Sequence, residues 1–385
     1  MNLGNLNDNN FSAGPGALPE SVLLQAREAI LSVPGIGLSV LGISHRSDWF
    51  ANVVAQAQSD LRSLLGIDDS YHILFLQGGS SLLFGMIPQA LLHHPNERAD
   101  YIRSGYWSSK SIPDAQLFGK VNVGWDGSSG GYRNLPTAGD LSFDDKASYF
   151  HYVSNETVEG LQFHDIPGID SVSRICDMSS DFLSKPIDCE RYAMIYAHAQ
   201  KNLGPAGVTV VVMHESLLDR CRRRDVPAML SFHRHVEAGS VYNTPPVFAI
   251  YVLGLVLRWM LDSIGGLEQM DRVNTRKATC IYDVLDKDRD FWEVHAHPKF
   301  RSAMNIAFRL RSPQLESTFL QEAEQVGFRG LEGHRTLGGL RISLYNGVEY
   351  SSACRLATFM EEFSNRYRNK GDAGDQHNNE RGPLK

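Results

Sequence analysis

The sequence lacks the features that mark disulfide-rich secreted proteins and metal enzymes. Its five cysteines are scattered and odd in number, without the regular spacing of a disulfide framework or a zinc site. This usage predicts free thiols in a reducing compartment. Close histidine pairs such as His295 and His297 have no cysteine or carboxylate at a convincing ligand spacing, so we expect no metal.

The sequence also has no extreme of charge or hydrophobicity. The segment Met1–Asn10 is polar, which predicts no secretory signal, and no basic helix-turn-helix segment is visible. The longest apolar run, Val247–Met260, contains Arg258 and is shorter than a usual membrane span. With 42% hydrophobic residues, 21% charged residues and a net charge of −7, we expect a cytoplasmic globular protein that binds neither nucleic acid nor membrane.

Among the features that are present, the most informative is a lysine directly after a buried strand. The apolar run Ala193–Tyr196 predicts a strand of a parallel sheet, and Lys201 follows it, before a sharp Gly-Pro turn and a second apolar run, Val208–Met213. Burial of an amine is costly, and one reason for it is a Schiff base, where desolvation lowers the pKa and makes the amine nucleophilic. A surface lysine in an ordinary loop is the alternative.

A second predicted strand, Val172–Met178, carries Asp177 near its carboxyl end. Open α/β sheets bind their ligands at that edge. Pyridoxal phosphate requires a lysine for its aldehyde and a carboxylate for its pyridinium nitrogen, and Lys201 and Asp177 supply that pair. The alternative for Asp177 is a helix N-cap, which is common between a strand and a helix.

A third predicted strand, Tyr71–Leu76, is followed by Gly-Gly-Ser-Ser and a helical pattern through Leu92. Glycines at such a turn let backbone N–H groups approach a phosphate at the start of a helix, although many strand–helix turns look alike. Trp107 follows a short strand near Tyr101 and is placed to stack on a flat ring. A core tryptophan is the alternative.

Strands alternate with helical patterns from Tyr71 to Met213, which predicts a mostly parallel sheet with helices on both faces. A long apolar helix is expected from Pro245 to Leu261, and a connecting helix over Leu267–Asp286. From Phe291 we expect a smaller α+β unit, with strands near Met304–Leu310 and Leu340–Tyr345 and helices near Leu315–Val326 and Ser352–Phe363.

The chain resembles the phosphoserine aminotransferases, which are class V aminotransferases of the pyridoxal-phosphate fold type I group. Matching motifs occur in order from about Asn10 to about Tyr367. They are Asn10-Phe-Ser-Ala-Gly-Pro-Gly16, Ile43-Ser-His-Arg-Ser47, Leu76-Gln-Gly-Gly-Ser80, His151-Tyr-Val-Ser-Asn-Glu-Thr-Val-Glu-Gly160, Asp177-Met-Ser-Ser-Asp181, Ala199-Gln-Lys-Asn-Leu-Gly-Pro-Ala-Gly207, Tyr242-Asn-Thr-Pro-Pro246, Arg301-Ser-Ala-Met-Asn305, Gly333-His-Arg335 and Gly338-Gly-Leu-Arg-Ile-Ser-Leu-Tyr-Asn346.

The resemblance implies an α/β fold of type I. It implies an N-terminal segment over residues 1–15 and a large cofactor-binding domain over 16–265, with a mostly parallel seven-stranded sheet. A connecting helix and a smaller α+β C-terminal domain would follow over 266–368. The polar tail, residues 369–385, is expected to be disordered.

The resemblance also implies the cofactor contacts. Lys201 would bind the cofactor aldehyde covalently and act as the catalytic residue. Asp177 would pair with the pyridine nitrogen, Trp107 would stack on the ring, and Thr157 would bond to its 3-oxygen. The cofactor phosphate would be held by Ser80, Ser81 and Gln200, and by Asn243 and Thr244 of the neighbouring subunit, which implies a homodimer with shared sites.

For the substrate, the resemblance places Arg341 on the α-carboxylate. A distal phosphate would be bound by His45, Arg46, His334 and Arg335. Two separate His-Arg pairs suit a dianion, since arginine grips phosphate with two parallel N–H donors. The implied reaction is reversible amino transfer between glutamate and 3-phosphohydroxypyruvate, which gives 3-phosphoserine and 2-oxoglutarate in serine biosynthesis. The alternative is a related class V aminotransferase acting on another phosphorylated or phosphonate keto acid in a specialised pathway.

Three residues depart from the family pattern. His198 stands where a glycine is usual, Gly42 where a glutamate often occurs, and Ser231 where an aspartate is frequent. We expect His198 to be a core histidine and not a new catalytic group. A cysteine desulfurase of the same fold is a weaker alternative, because no cysteine lies in an obvious glycine-rich mobile loop.

Overall fold

The computed structural model describes residues 6–368. The tail predicted over 369–385 and the first five residues of the predicted N-terminal segment lie outside the described residues. The boundary between the large and small domains at residue 265 stays a prediction.

The larger part of the chain alternates helices and strands. In chain order they are α1 (Glu20–Leu31), α2 (Asp48–Leu65), β1 (Tyr71–Gln77), α3 (Ser81–Leu91), β2 (Arg98–Arg103), α4 (Tyr106–Gln116), β3 (Lys120–Asp126), β4 (Phe150–Val153), β5 (Asn155–Glu156), β6 (Leu161–Gln162), β7 (Arg174–Asp177), β8 (Met194–His198), β9 (Val208–His214), α5 (Glu215–Cys221), α6 (Phe232–Glu237) and α7 (Val247–Trp259).

Seven of these strands form one sheet in the order β1-β9-β8-β7-β4-β2-β3. Strand β9 runs antiparallel to both of its neighbours, and the other neighbouring strands are parallel. This confirms the expected mostly parallel seven-stranded sheet. The carboxyl ends of β7 and β8 therefore lie side by side, which brings the residues that follow these two strands to the same edge.

Both faces of the sheet are covered, because alternate residues of each strand point to opposite faces. On β1, Ile73 and Phe75 lie in the core shared with α2 and α7, whereas Leu74 and Leu76 lie in the core shared with α3. Such burial on both faces explains why the strands are almost continuously apolar and not alternating.

The apolar helix α7 is longer than the sequence indicated. A π-helical turn, Met260–Ile264, continues it, and the 18 residues from Val247 to Ile264 have a mean hydropathy of 1.8, which is long and apolar enough to cross a membrane. The expectation that this run is too short was therefore wrong. Ile250, Leu253 and Leu257 are fully buried in the core beside α2, however, and a core helix has the same composition as a membrane span.

The smaller unit follows α8 (Leu267–Lys287). It contains β10 (Trp292–Val294), β11 (Asn305–Leu310), α9 (Gln314–Gln325), β12 (Leu340–Ser343) and α10 (Tyr350–Tyr367). The three strands form an antiparallel sheet whose core includes Trp292, Phe308 and Phe319. This agrees with the predicted α+β unit.

One predicted strand of the smaller unit ends early, at Ser343 instead of Tyr345. The carbonyl oxygens of Leu344 and Tyr345 accept hydrogen bonds from the ammonium of Lys277 on α8, at 3.0 and 2.9 Å. The segment after β12 is therefore fastened to α8 through its carbonyl oxygens, while the N–H of Leu344 still donates to the Met304 carbonyl at 2.7 Å.

Candidate active site

Lys201 lies in the turn between β8 and β9, and only 7% of its surface is exposed. Its Nζ donates to Thr157 Oγ1 at 2.8 Å and lies 5.5 Å from the centre of the Trp107 ring. Thr157 belongs to the short hairpin of β5 and β6, and Trp107 lies in the first turn of α4. Three segments distant in sequence therefore surround one amine.

Asp177 is the last residue of β7, the strand beside β8, and is 97% buried. Its Oδ1 accepts a hydrogen bond from the backbone N–H of Ser179 at 2.8 Å. Burial raises the pKa of Asp177, while the bonds to Ser179 and the charge of Lys201 lower it. Asp177 and Lys201, which the sequence predicted as a pair at the ends of two strands, are therefore close enough for each charge to shift the pKa of the other.

Burial lowers the pKa of Lys201 to about 8, and the positive charge of Arg341 adds to that effect. The carboxylate of Asp177 acts in the opposite direction and raises the pKa. An amine with a pKa of about 8 has a substantial neutral fraction near pH 7, which a nucleophile or a proton acceptor requires.

The turn between β1 and α3 brings polar groups to the start of a helix. Gly78 has a φ of +106°, a conformation that favours glycine. Ser80 Oγ lies 2.7 Å from Ser179 Oγ, so this turn contacts the segment after Asp177. Ser81 opens α3, where unpaired backbone N–H groups favour an anion.

Gln200, which directly precedes Lys201, contacts the N-terminal segment. A Cβ on Gly14 would lie 3.2 Å from Gln200 Nε2, and the N–H of Gly16 donates to the Gln200 carbonyl at 2.8 Å. The N-terminal segment is therefore packed against Gln200, and glycine at position 14 leaves room for its amide.

His198 packs against the glycine turn. A Cβ on Gly79 would lie 3.2 Å from its ring, and its backbone N–H donates to Ser179 Oγ at 3.2 Å. Burial lowers the pKa of His198 to about 4, and the charge of Lys201 lowers it further. The imidazole is therefore neutral at physiological pH, and its ring fills space beside the turn.

A group of positive charges lies on the other side of Lys201. Arg341 on β12 is half-buried, and its Nη1 donates to the carbonyl of Thr157 at 3.4 Å. The His334 ring lies 4.7 Å from Tyr106, and burial together with the charges of Arg341, Arg335 and Lys110 lowers the pKa of His334. Arg335 and Arg341 are thus brought together as predicted, with His334 between them.

Lys110 was not identified from the sequence, although its distance of three residues from Trp107 predicts that both lie on one face of a helix. It follows Trp107 by three residues on α4, so both occupy one face of the helix, and its Nζ lies 5.9 Å from the Trp107 ring. Within residues 6–368, no carboxylate lies within ion-pair distance of Lys110, Arg335 or Arg341. Uncompensated positive charge in a protein of net charge −7 is suited to an anionic ligand.

The remaining four predicted residues are not at this pocket. Asn243 Nδ2 donates to Gln77 Oε1 at 2.6 Å, and Thr244 and His45 line a groove of about 460 Å³, with Arg46 beside it. In the described part of the chain, no hydrogen bond or ion pair joins any of the four to Lys201 or to the positive group. The cofactor contacts of Asn243 and Thr244 from a neighbouring subunit and the substrate contacts of His45 and Arg46 both stay predictions.

The arrangement suits a ligand with an aldehyde, a basic ring nitrogen and a phosphate. Lys201 presents an amine, Asp177 presents a buried carboxylate, Ser80 lies at the start of α3, and Gln200 directly precedes Lys201. The flat face of Trp107 lies beside Lys201. No group of three His, Cys, Asp or Glu side chains within residues 6–368 is placed to hold a metal ion.

The family model of class V aminotransferases matches residues 9–356 of this chain. Among curated proteins, the phosphoserine aminotransferase of Rhodopirellula baltica is 43% identical over 93% of this chain and 95% of the relative. That of Shouchella clausii is 44% identical over 95% of this chain and 99% of the relative.

Solved structures agree with these relatives. Phosphoserine aminotransferase from Bacillus circulans subsp. alkalophilus superimposes with a TM-score of 0.88 at 42% identity, covering 92% of this chain and 98% of that one. A PLP-bound phosphoserine aminotransferase from Trichomonas vaginalis has a TM-score of 0.84 at 31% identity, covering 92% of this chain and 99% of that one.

Proposed function

The chain belongs to the class V aminotransferases, which are enzymes dependent on pyridoxal phosphate, and we propose that within that family it is a phosphoserine aminotransferase. Its reaction would be reversible amino transfer between glutamate and 3-phosphohydroxypyruvate, which forms 3-phosphoserine and 2-oxoglutarate for serine biosynthesis. The observation that carries the choice of substrate is the group of positive charges Lys110, Arg335 and Arg341 around His334, of which Arg341 is close enough to lower the pKa of Lys201.

Pyridoxal phosphate, when bound, supplies an electron sink for the substrate's α-carbon. In this proposal Lys201 holds its aldehyde, Asp177 pairs with its ring nitrogen, Trp107 covers its ring, and Thr157 bonds to its 3-oxygen. Ser80, Ser81 and Gln200 hold its phosphate. The fit is supported by the burial of Asp177, because burial raises its pKa and a positive partner is required to keep a buried carboxylate ionised.

Lys201 also moves protons in this proposal. Its Nζ, with a pKa of about 8, accepts the proton of the substrate's α-carbon and returns it to the neighbouring carbon. The hydrogen bond to Thr157 orients the amine, and the Trp107 ring shields it from water. Both contacts limit the positions that the Lys201 amine can adopt, so that less reorientation is required before proton transfer.

Arg341 binds the α-carboxylate in this proposal, since every amino and keto acid substrate carries one. Its partly buried guanidinium keeps fork-like donors in a site from which water is largely excluded, where charge-assisted bonds are strong. Lys110, His334 and Arg335 then face the distal end of the substrate. A phosphate there would receive charges that the protein itself leaves unpaired.

The test measures each half-reaction separately in Arg335→Ala and Arg341→Ala. Charge-assisted contacts contribute roughly 1.5–3 kcal/mol each, so Arg335→Ala should lower kcat/KM for the phosphorylated substrate by about ten- to a hundredfold and that for glutamate much less. Arg341→Ala should damage both half-reactions. Arg272→Ala, on the exposed surface of α8, is the control and should change neither.

Unchanged amination of 3-phosphohydroxypyruvate in Arg335→Ala would contradict the phosphate site. A higher kcat/KM for a different phosphorylated or phosphonate keto acid would instead favour the alternative, a related aminotransferase of a specialised pathway.

We further propose a homodimer with shared sites in the cytoplasm. His45, Arg46, Asn243 and Thr244 lie on one surface around the groove and apart from their own Lys201, as residues that serve a second subunit would. Leu31, Leu38 and Leu41, which precede that groove, are 58–79% exposed, and leucines so exposed favour an interface.

The dimer is tested by mixing two inactive variants, Lys201→Ala and the double variant Asn243→Ala/Thr244→Ala. Subunit exchange should restore part of the activity, because one site of each hybrid dimer then has both an intact lysine and an intact neighbouring loop. Absence of recovery after exchange has been verified by native mass spectrometry would contradict shared sites.

A further inference from the structure

The first turn of α4, which carries Trp107, is capped by two glutamates from another segment. The first N–H groups of a helix have no partner within it, and Gly105, which precedes α4, has no side chain to supply one. The N–H groups of Trp107 and Ser108 instead donate to Glu156, each at 3.0 Å, and that of Tyr106 donates to Glu159 at 2.9 Å.

The two carboxyl groups crowd the same space. A Cβ on Gly105 would lie 2.6 Å from Glu159 Oε2 and 2.7 Å from Glu156 Cδ, and the two glutamates are 5% and 0% exposed. Two negative charges this close in a buried site do not coexist at neutral pH, so one carboxyl group keeps its proton.

The hydrogen bonds decide which group that is. Glu156 accepts from two backbone N–H groups at the positive end of α4 and from Ser104 Oγ at 3.1 Å, which favours its charged form. From α4, Glu159 accepts one backbone bond, that of Tyr106, and within residues 6–368 its Oε2 has no hydrogen-bond partner. An unpaired buried oxygen beside a carboxylate is the natural position for a proton.

We propose that Glu159 is a positioning residue of the active site, a neutral acid beside the charged Glu156, and that the pair holds the first turn of α4 and thereby Trp107. The importance of Trp107 for the cofactor rests on the proposed function. The carboxyl pair itself depends only on the geometry around Gly105.

The charges around Glu159 support this assignment. Burial and the charge of Glu156 raise the pKa of Glu159 to about 9, whereas Arg341, which faces it from β12, lowers it. Lys201 faces Glu156 from the other side. On β11, the groups that would contact a side chain at Gly160 are the backbone of Asn305 and Ala307, which carry no charge.

The experiment follows thermal unfolding of the holoenzyme from pH 5 to 10 in the unaltered protein and in Glu159→Gln, which keeps the shape and donors of a neutral acid. The folded pKa of Glu159, about 9, is above the ordinary value of 4.5, so the folded protein binds the extra proton between these two values. Rising pH therefore destabilises the unaltered protein relative to the variant.

We expect the Tm difference, Glu159→Gln minus unaltered, to grow with pH by about 1–2 °C for each unit at most and to level off near pH 9. The visible circular dichroism of the bound cofactor reports its ring environment. This signal should decline above pH 9 in the unaltered protein and persist in Glu159→Gln.

Glu156→Gln is the second variant. It removes the neighbouring negative charge but not the burial, so Glu159 should ionise at lower pH, and the Tm of Glu156→Gln should fall less between pH 7 and 9 than that of the unaltered protein. Parallel Tm curves for the unaltered protein and Glu159→Gln, with the same alkaline loss of dichroism, would overturn the proposal. Failure of the protein to aminate 3-phosphohydroxypyruvate would leave these curves unaffected and would count only against the proposed function.

Discussion

Two buried lysines with lowered pKa values differ in what surrounds the amine. Lys201 is at the carboxyl edge of the large sheet, where its Nζ donates one hydrogen bond, to Thr157, and faces Trp107. Lys277 is fully buried on α8, where its Nζ donates to the carbonyls of Leu344, Tyr345 and Val348 at 2.9–3.0 Å. Burial lowers the pKa to about 8 for Lys201 and to about 7 for Lys277.

The comparison shows that a lowered pKa does not by itself identify a reactive lysine. An ammonium has three N–H donors, and Lys277 uses all of them to fasten the segment after β12 to α8. Lys201 uses one and has a carboxylate, Asp177, nearby to balance its charge. The acceptors around the amine therefore separate a structural lysine from one available for chemistry.

The largest effect is expected for Lys201→Ala. Transamination should fall by at least about 10²–10⁴-fold, because both the covalent attachment and the proton transfer are lost, while the fold is retained. The absorbance of the bound cofactor and the rates of both half-reactions check this.

Lys201→Arg is the matched variant, which keeps the positive charge but cannot attach the cofactor aldehyde. It should be as inactive as Lys201→Ala. Near-normal turnover in either variant would end the assignment of Lys201 as the catalytic residue.

The opposite result is expected for Lys277→Met, which should affect stability and not chemistry. Three carbonyl acceptors would lose their partner in the interior, at a cost of about 2–5 kcal/mol in the free energy of unfolding. Urea denaturation measures this loss, and the turnover of the folded fraction should remain close to that of the unaltered protein.

Lys287→Met provides the control on the same helix. Lys287 is exposed and pairs with Glu361 at the surface, so its removal should change the free energy of unfolding by no more than about 0.5 kcal/mol. If Lys277→Met were equally mild, the three hydrogen bonds would not contribute to stability as we infer.

A smaller effect is expected for Asp177→Asn, which removes the charge that distinguishes the surroundings of Lys201. Loss of a charge-assisted bond to the cofactor ring should lower kcat/KM by roughly ten- to a hundredfold. Asp181→Asn is the comparison, since Asp181 is also buried but accepts from Ser154 and Gln162. Its replacement should reduce stability more than turnover, and equal kinetic losses in the two variants would contradict the role of Asp177.

The smallest effect is a difference in the pH dependence of acetylation by acetic anhydride in the cofactor-free protein. Only a neutral amine reacts, so the rate at Lys201 should rise about tenfold for each pH unit and level off near pH 8.

Peptide mass spectrometry separates the lysine sites in one sample. Lys277 should remain unmodified until the protein unfolds, because its amine is fully buried. In Asp177→Asn the plateau for Lys201 should occur at lower pH, since the Asp177 carboxylate raises the Lys201 pKa. A rate at Lys201 that continues to rise tenfold per pH unit well above pH 8 would show that burial does not lower its pKa.

The sequence was sufficient where function follows from strand ends. Asp177 and Lys201 follow neighbouring strands of a sheet, and a parallel sheet brings such positions to one edge whatever the details of packing. The fold class and the cofactor were predicted from the same pattern and its family motifs, and both are confirmed.

The sequence was insufficient where two similar patterns have different surroundings. His45-Arg46 and His334-Arg335 look alike as dipeptides, yet of the two only the second lies near Arg341, whose charge also acts on Lys201. Lys277 carried no signal, because its three acceptors are carbonyls 67–71 residues away that any sequence would supply. Glu156 and Glu159 lie in the family motif His151–Gly160, but the sequence does not indicate that both contact Gly105.

By itself the sequence determined the sheet, the lysine and carboxylate at its edge, and the family, because these depend on local periodicity and on the order of motifs. Only the tertiary structure decided which lysine amine donates all its hydrogen bonds to backbone carbonyl oxygens and which carboxyl group retains a proton. Both outcomes depend on burial and on distances between segments far apart in the chain, as with Thr157 and Arg341, which are 184 residues apart. Electrostatic energy in a buried site changes steeply with such distances, and sequence spacing does not encode them.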